Sequence, residues 1–187
     1  MKNFTLILSS ISLLSISACS PGNDLSQSKA QSIIESYIEN NPIYETGNFE
    51  TDKLKLTLNK EKDKVEELQN LINEGYIKLL QEKKRKQFLS RDSVWIIQPS
   101  LTEKALPYVV QQNKNYTKVV TLKYKLNRNK DLIFNSKGKS TATCTVILDK
   151  EKTPFYKFGK DKQPQSNFIT EEFKLKYNEK EGWFIRK

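Results

Sequence analysis

The spacing of apolar residues changes character along this chain. Ala30, Ile33, Ile34, Tyr37 and Ile38 recur every three or four positions, which places them on one face of a helix. Ser28-Lys29-Ala30-Gln31 reads as its capping box, and Asn40-Asn41-Pro42 as its stop. A loop is expected through Gly47. Lys53-Leu54-Lys55-Leu56-Thr57-Leu58 alternates as a half-buried strand does, and the same residues could open the next helix. That helix, over 61–73, presents Val65, Leu68, Leu71 and Ile72, with Gly75 placed for a C-terminal cap.

Beyond it, Tyr76–Leu80 is apolar and gives way to Glu82-Lys83-Lys84-Arg85-Lys86, read as a basic turn. Ser93–Ile97 reads as a strand, and Ser100-Leu101-Thr102-Glu103 as a capping box for a helix to Val110, shortened or kinked by Pro107. From Thr117 the period becomes two. Val120, Leu122, Tyr124 and Leu126 alternate with Val119, Thr121, Lys123 and Lys125, and residues 140–148 alternate likewise. Phe173, Leu175 and Tyr177 share a face, and a loop ending at Gly182 leads to Trp183-Phe184-Ile185, a hairpin signature.

These elements predict an α+β fold. N-terminal helices come first, followed by a C-terminal antiparallel meander whose wet face carries lysines and threonines. The corresponding division is a helical subdomain over 28–115 and a strand subdomain over 116–187. Within the first, the order of residues 61–111 (helix, Asn-Glu-Gly-Tyr-Ile, basic turn, strand, Leu-Thr-Glu-Lys-Ala) resembles the helix-and-wing part of winged-helix proteins. Ala105 stands where those proteins usually have glycine.

The N-terminus adds a compartment. Met1-Lys2-Asn3, an apolar stretch from Phe4 to Leu14 and the small residues Ser17 and Ala18 form the three parts of an export signal. The stretch is shorter and richer in serine than a spanning helix, which needs about 20 predominantly apolar residues. Ile16-Ser17-Ala18-Cys19 resembles the lipobox of bacterial lipoproteins. The resemblance implies diacylglycerol on Cys19, cleavage between Ala18 and Cys19, and a mature chain of residues 19–187 anchored in the cell envelope. Residues 19–27 then form a tether. Ser20 resembles the residue that sends enterobacterial lipoproteins to the outer membrane, facing the periplasm.

Charge and missing residue types narrow the function. Residues 19–50 hold one lysine against five acidic residues, whereas residues 51–187 hold 30 Lys+Arg against 17 Asp+Glu. An exported basic body suits an anionic lipid or glycan, or an acidic envelope protein, and not nucleic acid. With no histidine, serine–histidine and cysteine–histidine chemistry is excluded. With Cys19 lipidated, Cys144 has no intrachain partner, and no metal site or cofactor motif is readable. Cys144 lies in an alternating segment and is expected to be a buried apolar side chain.

Two segments are candidates for binding. Lys83-Lys84-Arg85-Lys86 reads as a solvated turn or as an anion contact. Phe155-Tyr156-Lys157-Phe158 interleaves rings with cations, and reads as a cap on the sheet core or as a contact for a protein or glycan. The expected protein is a non-enzymatic, membrane-anchored binding lipoprotein. An immunity or inhibitor lipoprotein and a peptidoglycan- or lipopolysaccharide-binding anchor are the alternatives.

Overall fold

The computed structural model describes residues 24–86 and 92–186. Ala18, Cys19 and the start of the expected tether lie outside the described residues. The elements in chain order are α1 (Gln27–Asn40), β1 (Tyr44–Glu50), β2 (Leu54–Thr57), α2 (Lys62–Asn73), β3 (Ile77–Lys86) and β4 (Ser93–Leu101). A 3-10 helix (Glu103–Tyr108) leads into β5 (Val109–Gln112), β6 (Tyr116–Leu126), β7 (Ile133–Ser136) and β8 (Thr141–Lys152). A second 3-10 turn (Tyr156–Phe158) precedes β9 (Phe168–Asn178) and β10 (Gly182–Ile185).

A seven-stranded antiparallel sheet runs β1-β6-β8-β9-β10, with β5 added to β6 and β7 to β8, and curls into a half-barrel. Helix α1 packs against it. Ser26 caps the helix by accepting the Lys29 amide, two residues ahead of the expected Ser28 box. Ala30, Ile34 and Ile38 bury the predicted stripe against Leu122, Val146, Leu148, Phe173, Leu175 and Trp183. Each isoleucine contributes about 1.5–3 kcal/mol by leaving water. Cys144 belongs to this core and is fully buried, and burial pushes the thiol pKa up to about 11 by disfavouring the charged thiolate.

The second unit is a three-stranded antiparallel sheet, β2-β4-β3, covered by α2. Val65, Leu68 and Leu71 of α2 meet Leu56, Ile77, Trp95 and Ile97 from the sheet. Gly75, at φ +77°, takes the left-handed conformation that ends α2, and the Tyr76 amide returns to the Leu71 carbonyl. Phe49 of β1, Val119 of β6 and Phe155 complete this core, so the two sheets share a wall.

The expected order of helices first and meander second is overturned. The described residues are 48% strand and 22% helix, and β1 to β5 occupy the half expected to be mostly helical. Three local reasons account for the difference. Strand β1 has a single large buried apolar side chain, Phe49, so its sequence carries no readable alternation; its pairing with β6 makes it a strand. The helix expected to reach Val110 is a single 3-10 stretch, because Pro107 supplies no amide donor and β5 begins at Val109. The basic turn at 82–86 is the second half of β3. Residues 61–111, where the winged-helix resemblance lay, hold α2, β3, β4, the 3-10 helix and the start of β5.

The wet face expected of β6 is also dry over its first half. Thr117, Val119 and Thr121 are buried as fully as Leu122 and Tyr124, because one side of the strand meets the α1 core and the other meets the α2 core. The alternation of β8 and the Phe173–Leu175 face of β9 are as expected, as is the hairpin closed at Gly182.

Candidate anion-binding face

Strand β3 reads Ile-Lys-Leu-Leu-Gln-Glu-Lys-Lys-Arg-Lys, and its register on β4 decides what its charges can do. Ile77 opposes Leu101 and Lys78 opposes Ser100; a bulge between Leu79 and Gln81 then shifts the phase by one residue. After the bulge Glu82 opposes Ile97 and Lys84 opposes Trp95, both on the core side of β4. Gln81, Lys83 and Arg85 oppose Gln98, Ile96 and Val94 on the opposite side.

The bulge therefore sorts charge. The single acid of β3, Glu82, turns toward the core side, where its Oε1 accepts the Trp95 indole N–H at 2.8 Å and lies 3.9 Å from Lys84 Nζ. Lys84 Nζ also sits 5.9 Å from the centre of the Trp95 ring. The outer side keeps Lys78, Lys83 and Arg85. On the other edge, Lys55 of β2 opposes Ile96, so Lys55 and Lys83 flank that isoleucine across β4.

Counted by register, the outward strand positions among the described residues carry Lys55, Lys78, Lys83 and Arg85 and no carboxylate. All four are exposed, and none has an acidic partner among the described residues. Lys53 joins them at the rim. It lines a groove of about 370 Å³ with Gln81, Lys83, Arg85 and Ile96, and Glu82, from the alternate row of β3, borders the same groove. Like charges held by a rigid sheet without counter-ions repel one another and lower the cost of bringing an anion in. This arrangement can bind phosphate or carboxylate groups spread over a flat surface.

The two sequence candidates fare differently. Lys83-Lys84-Arg85-Lys86 is split by the strand, Lys83 and Arg85 to the outer face and Lys84 and Lys86 to the core side. Lys55, Lys78 and Lys53 complete the face and were missed, although the alternation of Lys53–Leu58 signalled the position of Lys55. Phe155-Tyr156-Lys157-Phe158 does not form one surface. Phe155 is fully buried among Phe49, Tyr76, Tyr108 and Phe158, with ring centres 5.7–6.4 Å apart. Tyr156 directs its hydroxyl to Asp161, and Lys152 Nζ lies 4.4 Å above its ring.

Only Lys157 of that segment is exposed, and it borders a groove of about 440 Å³ between β1 and α2. Glu67, in the same groove, has its carboxyl pKa raised by burial, against the opposing pull of Lys157, with Glu74 and Glu66 adding to the rise. Its neighbours Glu50 and Lys64 are paired at 2.9 Å. Among the described residues, no group of three or more histidine, cysteine, aspartate or glutamate side chains could hold a metal ion.

No family model matches this chain, and no curated protein or solved structure matches it either.

Proposed function

We propose that this chain is an envelope lipoprotein, anchored through lipid on Cys19, whose folded body is a non-enzymatic binding protein for an anionic envelope component. The observation that carries the binding half of this reading is the acid-free row of Lys55, Lys78, Lys83 and Arg85 on the outer face of the three-stranded sheet. The anchoring half rests on Ile16-Ser17-Ala18-Cys19 at the end of an export-type leader. None of the helices among the described residues is long and apolar enough to cross a membrane. Ser20 favours the periplasmic face of the outer membrane where the host envelope has one.

Each half has a direct test. Globomycin treatment leaves an uncleaved chain, and Cys19→Ser leaves an unlipidated one; unchanged processing and membrane retention would remove the anchor from the account. A pull-down from envelope extract, run with the native chain and with Lys55→Gln/Lys83→Gln/Arg85→Gln, reports on the body. Loss of the captured material with the variant supports the face as the binding site, and identical capture excludes it.

A further inference from the structure

We infer that the outer face of the β2-β4-β3 sheet lies against an anionic lipid bilayer and docks on its headgroup phosphates. The inference rests on the lipid-anchored reading above and names the occupant of the same face. Two observations favour a bilayer. The cations are spread over all three strands' width instead of converging on a point, because Lys55 and Lys83 are held on either side of β4 and neighbouring strands lie about 4.8 Å apart. Ile96 sits between them, an apolar side chain at the centre of a charged face.

The anchor adds a geometric reason. Six residues separate Cys19 from the helix cap Ser26, a seven-step span of at most about 25 Å when fully extended. Lipid on Cys19 keeps the body within that distance of the bilayer, so the local concentration of headgroups is high and a modest attraction suffices. Each cation near an anionic membrane strengthens association about fivefold at ordinary ionic strength, so four act together as a strong orienting force. Addition of a partner's strand to the free edge of β3 is the competing use of the same segment. The bulge at Leu79/Gln81 and the lysines along that edge disfavour it, since both features blunt exposed strand edges.

The test is lysine footprinting on the full-length lipidated protein reconstituted in vesicles of phosphatidylcholine alone or with phosphatidylglycerol. An amine-reactive label is applied, and modification of Lys55, Lys78 and Lys83 is compared with that of Lys174 and Lys176 on β9. Docking predicts at least fivefold slower labelling of the first three in the anionic vesicles, abolished by about 0.5 M salt, with Lys174 and Lys176 unchanged. Equal labelling in both vesicle types overturns the inference. So does protection that appears only when a soluble polyanion is added to the neutral vesicles, which would identify a glycan-like ligand instead. Failure of the protein to co-float with either vesicle type contradicts the anchor and is recorded separately from the labelling.

Discussion

Lys150 Nζ lies 2.6 Å from Asp161 Oδ1, and the two side chains are only 5% and 7% exposed. The ammonium also donates to the Gln163 carbonyl, and Asp161 accepts from the Gln163 amide and the Tyr156 hydroxyl. This pair clamps the long connection between β8 and β9, the segment that carries Phe155 and Phe158 into the second core. A buried pair is costly to break from one side, because the surviving charge keeps its desolvation penalty without its partner.

Asp161→Asn is therefore expected to lower stability by about 1–2 kcal/mol at pH 7, the scale of a lost charge-assisted hydrogen bond in a partly buried pair, measured by urea denaturation against the native chain. The Lys150 hydrogen bond, helped by the Gln163 amide, holds the Asp161 carboxyl below the usual carboxylate range. A lowered folded-state pKa stabilises the protein above the unfolded value of about 4, and that contribution is lost as pH falls through the folded value. The gap between native and variant should accordingly be full above pH 5 and shrink below pH 4. A gap that widens in acid would contradict the pairing.

The same connection is fixed to the sheet by a close approach at Gly47. A methyl group there would fall 2.0 Å from the Phe158 carbonyl oxygen and 2.9 Å from Gly159 Cα, both backbone atoms that cannot rotate away. Gly47→Ala should cost about 3 kcal/mol, the upper end of overpacking effects, and should loosen the Phe49–Phe158 ring contact at 5.1 Å. Thermal unfolding and amide exchange at residues 155–159 would report it. A fully stable Gly47→Ala chain would disprove the contact.

Cys144 offers a test of core packing. With the thiol pKa pushed up to about 11 by burial, it should resist iodoacetamide at pH 8 in the native protein and react only after unfolding. Cys144→Ala should cost less than Cys144→Ser, since a buried hydroxyl needs a partner and costs about 1–3 kcal/mol when none is at hand. Rapid native-state labelling would show that the segment opens.

What the sequence made legible follows from where one apolar face meets one core. Helices α1 and α2 each bury a single stripe, and Ala30, Ile34, Val65 and Leu68 could be picked out by spacing alone. Strand β8 and the β9–β10 hairpin were legible for the same reason at period two. Strand β6 misled because both of its sides are covered, so Thr117 and Thr121 are buried where polar residues suggested water. The basic half of β3 was illegible as a strand because residues 81–86 are exposed and polar throughout; only pairing with Trp95, Ile96 and Ile97 defines it. Half of the cationic face followed from the basic run. The other half needed the register, which brings Lys55 across β4 from Lys83.

The central claim is that the position of these cations, and not the overall basic charge, creates the binding face. Salt elution of the detergent-solubilised full chain from a phosphate-bearing matrix separates the two. Lys55→Gln/Lys83→Gln/Arg85→Gln and the control Lys174→Gln/Lys176→Gln/Lys180→Gln remove equal charge from different faces. Elution of the first at clearly lower salt, with the control close to the native chain, is the predicted result; equal shifts for both variants would contradict the account.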